Sequence, residues 1–387
     1  MIVAGIMSGT SADGINVAIV RLEDHDFETK LDFIAHREFP FPANVRKFIL
    51  AVMNAEAKVA DLARLNVLLG ELYAEAFLKT ASEAQAGVSL IGCHGQTIYH
   101  QGEKKNFLGR SISATWQTGE GAIVAARTGI PVVSDFRQSD MAAGGKGAPL
   151  VPFLDYMLYR HPQRGRIVQN IGGIANLTAI PAGTASGGGT RPERVIAFDN
   201  GPGNMVIDGV TERLYNRPFD KDGRFAATGK VLDPVIKKIL RGSFFRSKPP
   251  KTAGREEFGR EFLEQFIRSC GNCERQDIVA TATALTAQSI ALAVRELLPE
   301  TYGDVSAFQD MIISGGGSRN ATLVKMITEL LPELDVKSSD AYGIPAEAKE
   351  AVAFALLAYQ TWHKSPSSIP SATGADYPAV LGKISYP

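Results

Sequence analysis

Cysteine is nearly absent from this chain of 387 residues: Cys93, Cys270 and Cys273 are the only three. Thiols so few and so unevenly placed cannot build a disulfide framework, which fits a reducing compartment and makes the cytoplasm the expectation. Charge of one sign is also missing. The 41 Lys and Arg balance the 41 Asp and Glu, so no broad electrostatic surface exists to hold nucleic acid or an anionic bilayer, and a small-molecule partner is expected instead. Long hydrophobic runs are absent as well. The most apolar stretch, 279–294, is broken by Thr281, Thr283, Thr286, Gln288 and Ser289 and is shorter than the roughly 20 residues a bilayer requires, so it reads as a buried helix. The opening MIVAGIM lacks a charged targeting region and meets Ser8, Thr10, Ser11 and Asp13 at once, so it reads as part of the fold.

What is present is ordinary globular composition, with 45% hydrophobic and 21% charged residues, which excludes a disordered chain. At roughly 150 residues per domain the length predicts two to three domains or one large bilobal unit. The apolar run 2–7, the turn SGTSADG and the apolar run 17–22 predict a strand, a polar loop and a returning strand. Helical spacing follows at 42–55 and 60–84, a strand at 88–93 leading into HGQT, a helix at 119–127 and a strand at 130–134. The segment SDFRQSDMAAGGKGAPL reads as a glycine-rich crossing with almost no helical or strand pattern, and a lobe boundary is placed near it. Beyond it come a helix at 152–159, a strand at 167–171, a turn at Gly172 and Gly173, and a strand at 174–180. This hairpin resembles the opening one and suggests a duplicated unit. Residues 182–192 read as a low-complexity loop without assignable chemistry. A strand at 195–198 then ends in DNGPGN, followed by helices at 205–215, 256–268 and 276–298, a strand at 311–314, three glycines and a helix at 320–331. The alternation predicts an α/β protein with its site at the carboxyl ends of its strands.

Glycine is plentiful, 38 residues, and four glycine-bearing turns follow apolar strands: SGTSADG, IGGIAN, DNGPGN and SGGGSRN. Without a Cβ each can bring backbone N–H groups close to a phosphate, and their recurrence favours a nucleotide site over plain turns. The usual nucleotide signatures are missing: Lys146 in GGKGAP is followed by Gly147, no kinase H-R-D and D-F-G pair occurs, and no G-x-G-x-x-G opens a helix after the first strand. Asp199 stands where a strand stops and a glycine turn begins, a placement suited to a general base and also to capping the helix near Asn204. Asp13 precedes Gly14 and is open to a turn role or a functional one. His94 and His100 lie six apart without a third ligand nearby, which favours hydrogen-bonded or substrate-contacting roles over a metal. Cys270 and Cys273 form a C-x-x-C without a partner pair. Glu347 and Glu350 sit one turn apart at the start of an apolar helix, where acids also suit the helix dipole.

The sequences GIMSGTSADG, CHGQTIYH, TGIPVVSDFR, DMAAGG, GAPLVP, QNIGGIANLT, FDNGPGNMVID, PPKTAGREEFG, GGGSRN, AKEAVAFA, PSATGA and VLGKI occur in this order along the chain. With them the chain resembles, over nearly its whole length, the anhydro-N-acetylmuramic acid kinases, sugar kinases of the actin and hexokinase superfamily. The resemblance implies two RNase H-like lobes around a central nucleotide cleft, with 1–133 and 366–387 in the first lobe and 134–365 in the second. It implies ATP and Mg²⁺ as cofactors. Ser8, Gly9, Thr10, Ser11, Asp13, Gly14 and Asn16 would form the first phosphate loop, Gly172 and Gly173 the second, with Gly201, Gly203 and Asn204 beside the nucleotide and Gly315, Gly316 and Gly317 facing adenosine. Asp199 would activate water, Asp13 and Asp199 would lie at the metal, and His94, Gln96, Arg137, Asp140 and Glu350 would contact the sugar. Three positions depart from the family's usual pattern: Asn16 stands in place of aspartate, Asn200 in place of the threonine of FDTGPGN, and Lys146 in place of the glutamine of GGQGAP. The implied reaction opens a 1,6-anhydro ring and phosphorylates O6. A levoglucosan kinase or other sugar hydroxyl kinase, and a nucleotide-switched interaction module, are the competing readings, and a homodimer is carried as an expectation.

Overall fold

The computed structural model describes residues 1–25, 28–183 and 192–387, so residues 184–191 of the expected low-complexity loop lie outside the described residues. The described residues form twelve strands: β1 (Ile2–Ser8), β2 (Gly14–His25), β3 (Glu28–Pro40), β4 (Leu90–Phe107), β5 (Arg110–Thr118), β6 (Val132–Ser134), β7 (Arg166–Ile171), β8 (Ile174–Ile180), β9 (Ile196–Pro202), β10 (Asp310–Ser314), β11 (Asp335–Ser338) and β12 (Lys383–Ser385). They form two sheets, one ordered β12-β6-β4-β1-β2-β3 with β5 paired to β4, the other ordered β11-β10-β7-β8-β9. In the first, β2 and β3 follow β1 as an antiparallel meander while β4 and β6 run parallel on its other side. The second repeats this, with β8 and β9 antiparallel beyond β7 and β10 and β11 parallel on the opposite flank. Each sheet is therefore RNase H-like, and the duplication suggested by the two glycine hairpins extends to strand order and direction.

The chain divides into two compact units, Met1–Leu158 with Glu347–Pro387, and Tyr159–Ala346. These boundaries replace those expected after 133 and before 366, for two reasons. Residues 134–150 contain the helix Phe136–Ala142, which the sequence did not predict. Its seven residues bury only Phe136 and Asp140, too few to leave a helical pattern in sequence. The second reason is the helix Lys349–Trp362, which packs on β1 and β4 at backbone distance: a Cβ on Gly5 would meet Ala351 O at 1.8 Å, and one on Gly92 would meet Phe354 O at 2.2 Å. Lys349, nearly buried, also pairs with Asp155 of the helix Pro152–Tyr159 at 2.6 Å. Residues on both sides of the expected boundaries are thus fixed to the first sheet.

In the second unit the helix Arg275–Leu292 is buried around almost its whole circumference, as an apolar helix without a polar face must be. With its continuation to Tyr302 it is long and apolar enough to cross a membrane by length and composition, yet 83% of the apolar window is buried inside the structure. The hydroxyls that interrupt it have partners: Thr286 donates to Gly203 O at 3.0 Å, and Thr281 accepts from Leu232 N at 3.0 Å.

The backbone approach at Gly92 makes a direct prediction. Gly92→Ala should destabilise the fold by about 1–3 kcal/mol, because the Phe354 carbonyl is helix backbone and cannot rotate away. Gly87→Ala, where nothing lies within 4 Å of the new Cβ, is the control. Equal urea midpoints for the two variants would show that the helix yields freely.

Candidate active site

In the first unit β1 ends at Ser8, whose buried hydroxyl lies 2.6 Å from the Tyr73 hydroxyl and donates to Gly95 O at 3.3 Å. Ser8 therefore anchors the loop. Gln96 holds it from the other side, donating from Nε2 to Gly9 O at 3.0 Å while its buried Oε1 has no partner among the described residues. Thr10 and Ser11 reach the surface. The nearest atom to a Cβ on Gly9 would be Ser11 Oγ at 3.8 Å, so the protein's own packing does not demand glycine there. Asp13 is exposed and accepts from Arg46 Nη2 at 2.7 Å.

Asn16 Oδ1 lies 2.8 Å from His36 Nε2, so the imidazole donates to the carboxamide oxygen. Burial lowers the His36 pKa against the opposing pull of Glu38 and Glu347. Gly9, Ser11, Asp13, Gly14 and Asn16 line a cavity of about 480 Å³ together with Glu38, Glu347 and Glu350. The sequence-predicted loop and Glu350, more than 330 residues apart in sequence, are thereby brought to one wall.

The expected sugar contacts separate into exposed and supporting groups. Glu350 opens onto the cavity, and its low-solvent surroundings push its carboxyl above the usual range, opposed by Arg137 and Lys349. Arg137 donates from Nη1 to Gly147 O at 2.6 Å and from Nε to His94 Nε2 at 3.0 Å. Burial lowers its pKa to about 10, opposed by Glu350 and Asp140. The second nitrogen of His94, Nδ1, lies 2.7 Å from Gly95 O, an atom that can only accept. The proton therefore sits on Nδ1, and Nε2 offers its lone pair to Arg137.

Burial, and then the Arg137 charge, hold His94 well below the usual histidine range and bring His100 down to about 4. His94 and Gln96 are thus buried supports. Asp140 is one too: it accepts from Gly147 N at 2.8 Å and Thr373 Oγ1 at 2.7 Å, with no surface exposed. No group of three His, Cys, Asp or Glu that could hold a metal occurs among the described residues.

In the second unit three glycine turns converge on Ile171. Gly203 N donates to Gly173 O at 2.9 Å, Asn204 N to Gly172 O at 2.7 Å, and Asn204 Nδ2 to Ile171 O at 3.2 Å. Gly315, at φ +80°, would bring a Cβ within 2.6 Å of Asn170 Oδ1, and Gly317 within 2.3 Å of Ile171 Cγ2. The fold itself requires glycine at 201, 203, 315 and 317. At Gly172, Gly173 and Gly316 a Cβ would meet nothing nearer than 3.6, 3.5 and 3.4 Å. Gly173 and Gly316 are also exposed. Their bare surfaces suit close approach by a ligand rather than internal packing.

Asp199 lies within β9. Its N–H donates to Lys251 O at 3.0 Å and its Oδ2 accepts from Ala253 N at 2.7 Å, while Oδ1 has no hydrogen-bond partner among the described residues. Burial raises its pKa to about 6; the Ala253 N–H and the Lys251 ammonium oppose this, and Glu257 adds to it. Lys251, Ala253 and Glu257 lie in PPKTAGREEFG and were not singled out from sequence, because a contact across 54 residues leaves no local spacing signal.

The three departures from the family pattern also have partners within the chain. Asn16 pairs with His36, and Lys146 Nζ lies 2.6 Å from Glu103. Asn200 is buried and donates to Gln169 Oε1 at 2.7 Å.

Two RNase H-like sheets, each with glycine turns at strand ends, define the class of actin-like ATPases and sugar kinases. Within it, the family model described as anhydro-N-acetylmuramic acid kinase matches residues 1–387, and the chain belongs to that family. The anhydro-N-acetylmuramic acid kinase of Caldanaerobacter subterraneus subsp. tengcongensis is 44% identical, with 99% of this chain and 96% of that protein covered. That of Bacillus cereus is 42% identical, with 100% and 99% covered. Among solved structures, the (R)-2-hydroxyglutaryl-CoA dehydratase component A of Acidaminococcus fermentans aligns with 94% of this chain and 100% of its own at 13% identity, with a TM-score of 0.44, too distant a likeness to bear on the site.

The two kinds of glycine can be told apart by substitution. Gly203→Ala forces a Cβ to within 2.3 Å of Gly172 O and should lower the melting temperature. Gly173→Ala should fold normally and weaken ATP binding about ten-fold, if its surface is left bare for phosphate. Calorimetric titration with ATP checks this, and wild-type affinity in Gly173→Ala would remove the phosphate role.

Proposed function

We propose that the protein is an ATP-dependent kinase that opens the 1,6-anhydro ring of anhydro-N-acetylmuramic acid with water and phosphorylates O6. The product is N-acetylmuramic acid 6-phosphate, a reaction of cell-wall sugar recycling in the cytoplasm. The observation that carries the reading is the half-anchored Asp199: one oxygen tied to Ala253 N–H, the other free, with a carboxyl raised to about 6. That value lies close enough to neutrality for a base that must be ionised before turnover and accept a proton during it.

In the reaction, water donates a proton to Asp199 as its oxygen bonds the anomeric carbon. The bond from that carbon to O6 breaks, and O6 takes the γ-phosphoryl group from ATP, leaving ADP. Glu350 would orient sugar hydroxyls, and Arg137, aimed by His94 and Gly147, would supply positive charge beside it. In the first unit the N–H of Gly9, and in the second those of Gly173 and Gly316, would be available to phosphate oxygens or adenosine, while the N–H of Gly172 is held by Ile174 O at 3.2 Å.

Mg²⁺ ordinarily takes one or two protein carboxylates and keeps several waters. The solvent-facing carboxylate of Asp13 suits that open donor set, and the ion would neutralise phosphate charge there. A homodimer is part of the proposal and is decided by sedimentation at assay concentration.

Turnover with anhydro sugar, MgATP and ¹⁸O-water should place label at C1 of the product; unlabelled product would eliminate ring opening by water. A panel including levoglucosan, ranked by kcat/KM, separates the substrate readings, and normal sugar phosphorylation removes the interaction-module reading. Asp199→Asn should lower kcat roughly 10²- to 10⁴-fold with ATP affinity nearly unchanged. Because the base acts ionised, kcat/KM should fall as pH drops through about 6, the raised Asp199 value, and this acid limb should vanish from the residual activity of Asp199→Asn. An acid limb that survives the substitution would assign it to another group.

A further inference from the structure

Segment 251–254 holds Asp199 through two main-chain bonds from alternate residues: Lys251 O accepts the Asp199 N–H, and the Ala253 N–H donates to Oδ2. One bond fixes the backbone and the other holds one edge of the carboxylate. What fixes the segment is Lys251. The residue is 8% exposed, and its Nζ donates to Phe244 O at 2.8 Å and Phe245 O at 3.4 Å, both carbonyls of the short helix Ser243–Arg246. The same ammonium lies 4.6 Å from the Phe244 ring centroid and 5.8 Å from that of Phe198, the residue immediately before Asp199. A buried ammonium is costly, and an apolar residue of similar length would fill this space at lower cost. The cation is therefore placed for what it ties together: the 244–245 carbonyls, the face of Phe198 and the segment that grips the base.

We infer that Lys251 is a positioning residue for Asp199, acting through segment 251–253 to aim its free carboxylate oxygen, an inference that rests on the proposed role of Asp199 as base. It does not itself touch the reacting atoms. A carboxylate held on one edge only can swing about that bond, and a misplacement of about 1 Å at a reacting group can cost on the order of 10² in rate. Removing the ammonium should accordingly cost turnover and leave nucleotide binding intact, since the glycine turns at 172–173 and 315–317 are held by their own main-chain contacts.

The test is steady-state kinetics on the full chain with wild type, Asp199→Asn, Lys251→Met, Lys251→Arg and Ala253→Pro in parallel, with ATP dissociation constants and melting curves for each. Lys251→Met should lower kcat about 10- to 100-fold with sugar KM and ATP affinity within about two-fold of wild type, and Lys251→Arg should recover most of the loss. Ala253→Pro, which deletes the N–H that holds Oδ2, should reproduce the loss, and combining it with Lys251→Met in one chain should add little to it. Wild-type kcat in a folded Lys251→Met overturns the inference, as does a loss of ATP affinity that matches the loss of turnover. If Lys251→Met does not fold, wild-type kcat in Ala253→Pro overturns it. Full activity in Asp199→Asn defeats the proposed function itself, whereas an inactive Asp199→Asn beside a wild-type-like Lys251→Met defeats this inference alone.

Discussion

A helix backbone laid directly on two strands is the constraint on which the first unit depends. Because Gly5 and Gly92 have no Cβ, the helix Lys349–Trp362 reaches β1 and β4 at main-chain distance, and its alanine-rich face follows from that closeness. The contact fixes more than packing. It places Phe354 4.5 Å from the His94 ring and 5.2 Å from Phe136, and His94 in turn takes the Nε–H of Arg137. Arg137 then acts electrostatically on Glu350, which stands on the first turn of the same helix. The path closes on itself, so the acid that faces the cavity and the cation that tempers it are set by one helix-to-sheet distance.

The polar groups behind this wall each have a specific electrostatic part. A protonated His94 would place a second cation against a buried guanidinium, and the carbonyl of Gly95 fixes the tautomer that accepts instead. Asp140 supplies the compensating anion while pinning Gly147 N and Thr373. In the second unit main-chain carbonyls do the comparable work. Gly172, Gly173 and Ile171 present oxygens to the N-terminus of the helix Asn204–Tyr215, so the turns after β7 and β9 lock each other, and that after β10 packs against Ile171. Glycine there serves two ends that look alike in sequence. At 203, 315 and 317 the fold leaves no room for a side chain, whereas at 173 and 316 it leaves the backbone exposed.

Much of this was legible in the chain. Strands that carry a continuous apolar run, such as 2–7, 167–171 and 311–314, are central in their sheets and were found within a residue or two of their ends. The edges were not. β3 has no buried residue among those described, and β5 is exposed over its first three residues, Arg110 to Ile112, so burial imposed little alternation on either. β11 and β12 are four and three residues long, below the length at which a period can be read. The unit boundaries were misplaced for a related reason: a main-chain contact between glycine and a distant helix has no signature in local composition. The site was read as a set of strand ends, which holds for the turns after β1, β7 and β10, whereas Asp199 is the fourth of the seven residues of β9, because the strand continues through Asn200 and Gly201. Sequence spacing could not separate Glu350, which lines the cavity, from Asp140, which accepts from Thr373, because the partner that buries Asp140 lies 233 residues away.

The state of Asp199 is a compromise between catalysis and the fold. A carboxylate with both oxygens satisfied by N–H groups would ionise easily and remain a weak base, while one with neither satisfied would be buried without support. Here a single N–H from Ala253 holds one oxygen, and burial together with Glu257 outweighs that bond and the Lys251 charge, raising the group from 3.8 to about 6. A carboxyl raised by folding binds its proton more tightly in the native state. Native stability is therefore highest below the unfolded value and declines as pH rises from about 4 through about 6, by about 3 kcal/mol for a shift of about two units. Above that window the protein carries the cost of an ionised, half-satisfied carboxylate, and the free oxygen that causes the cost is the atom able to take a proton from water.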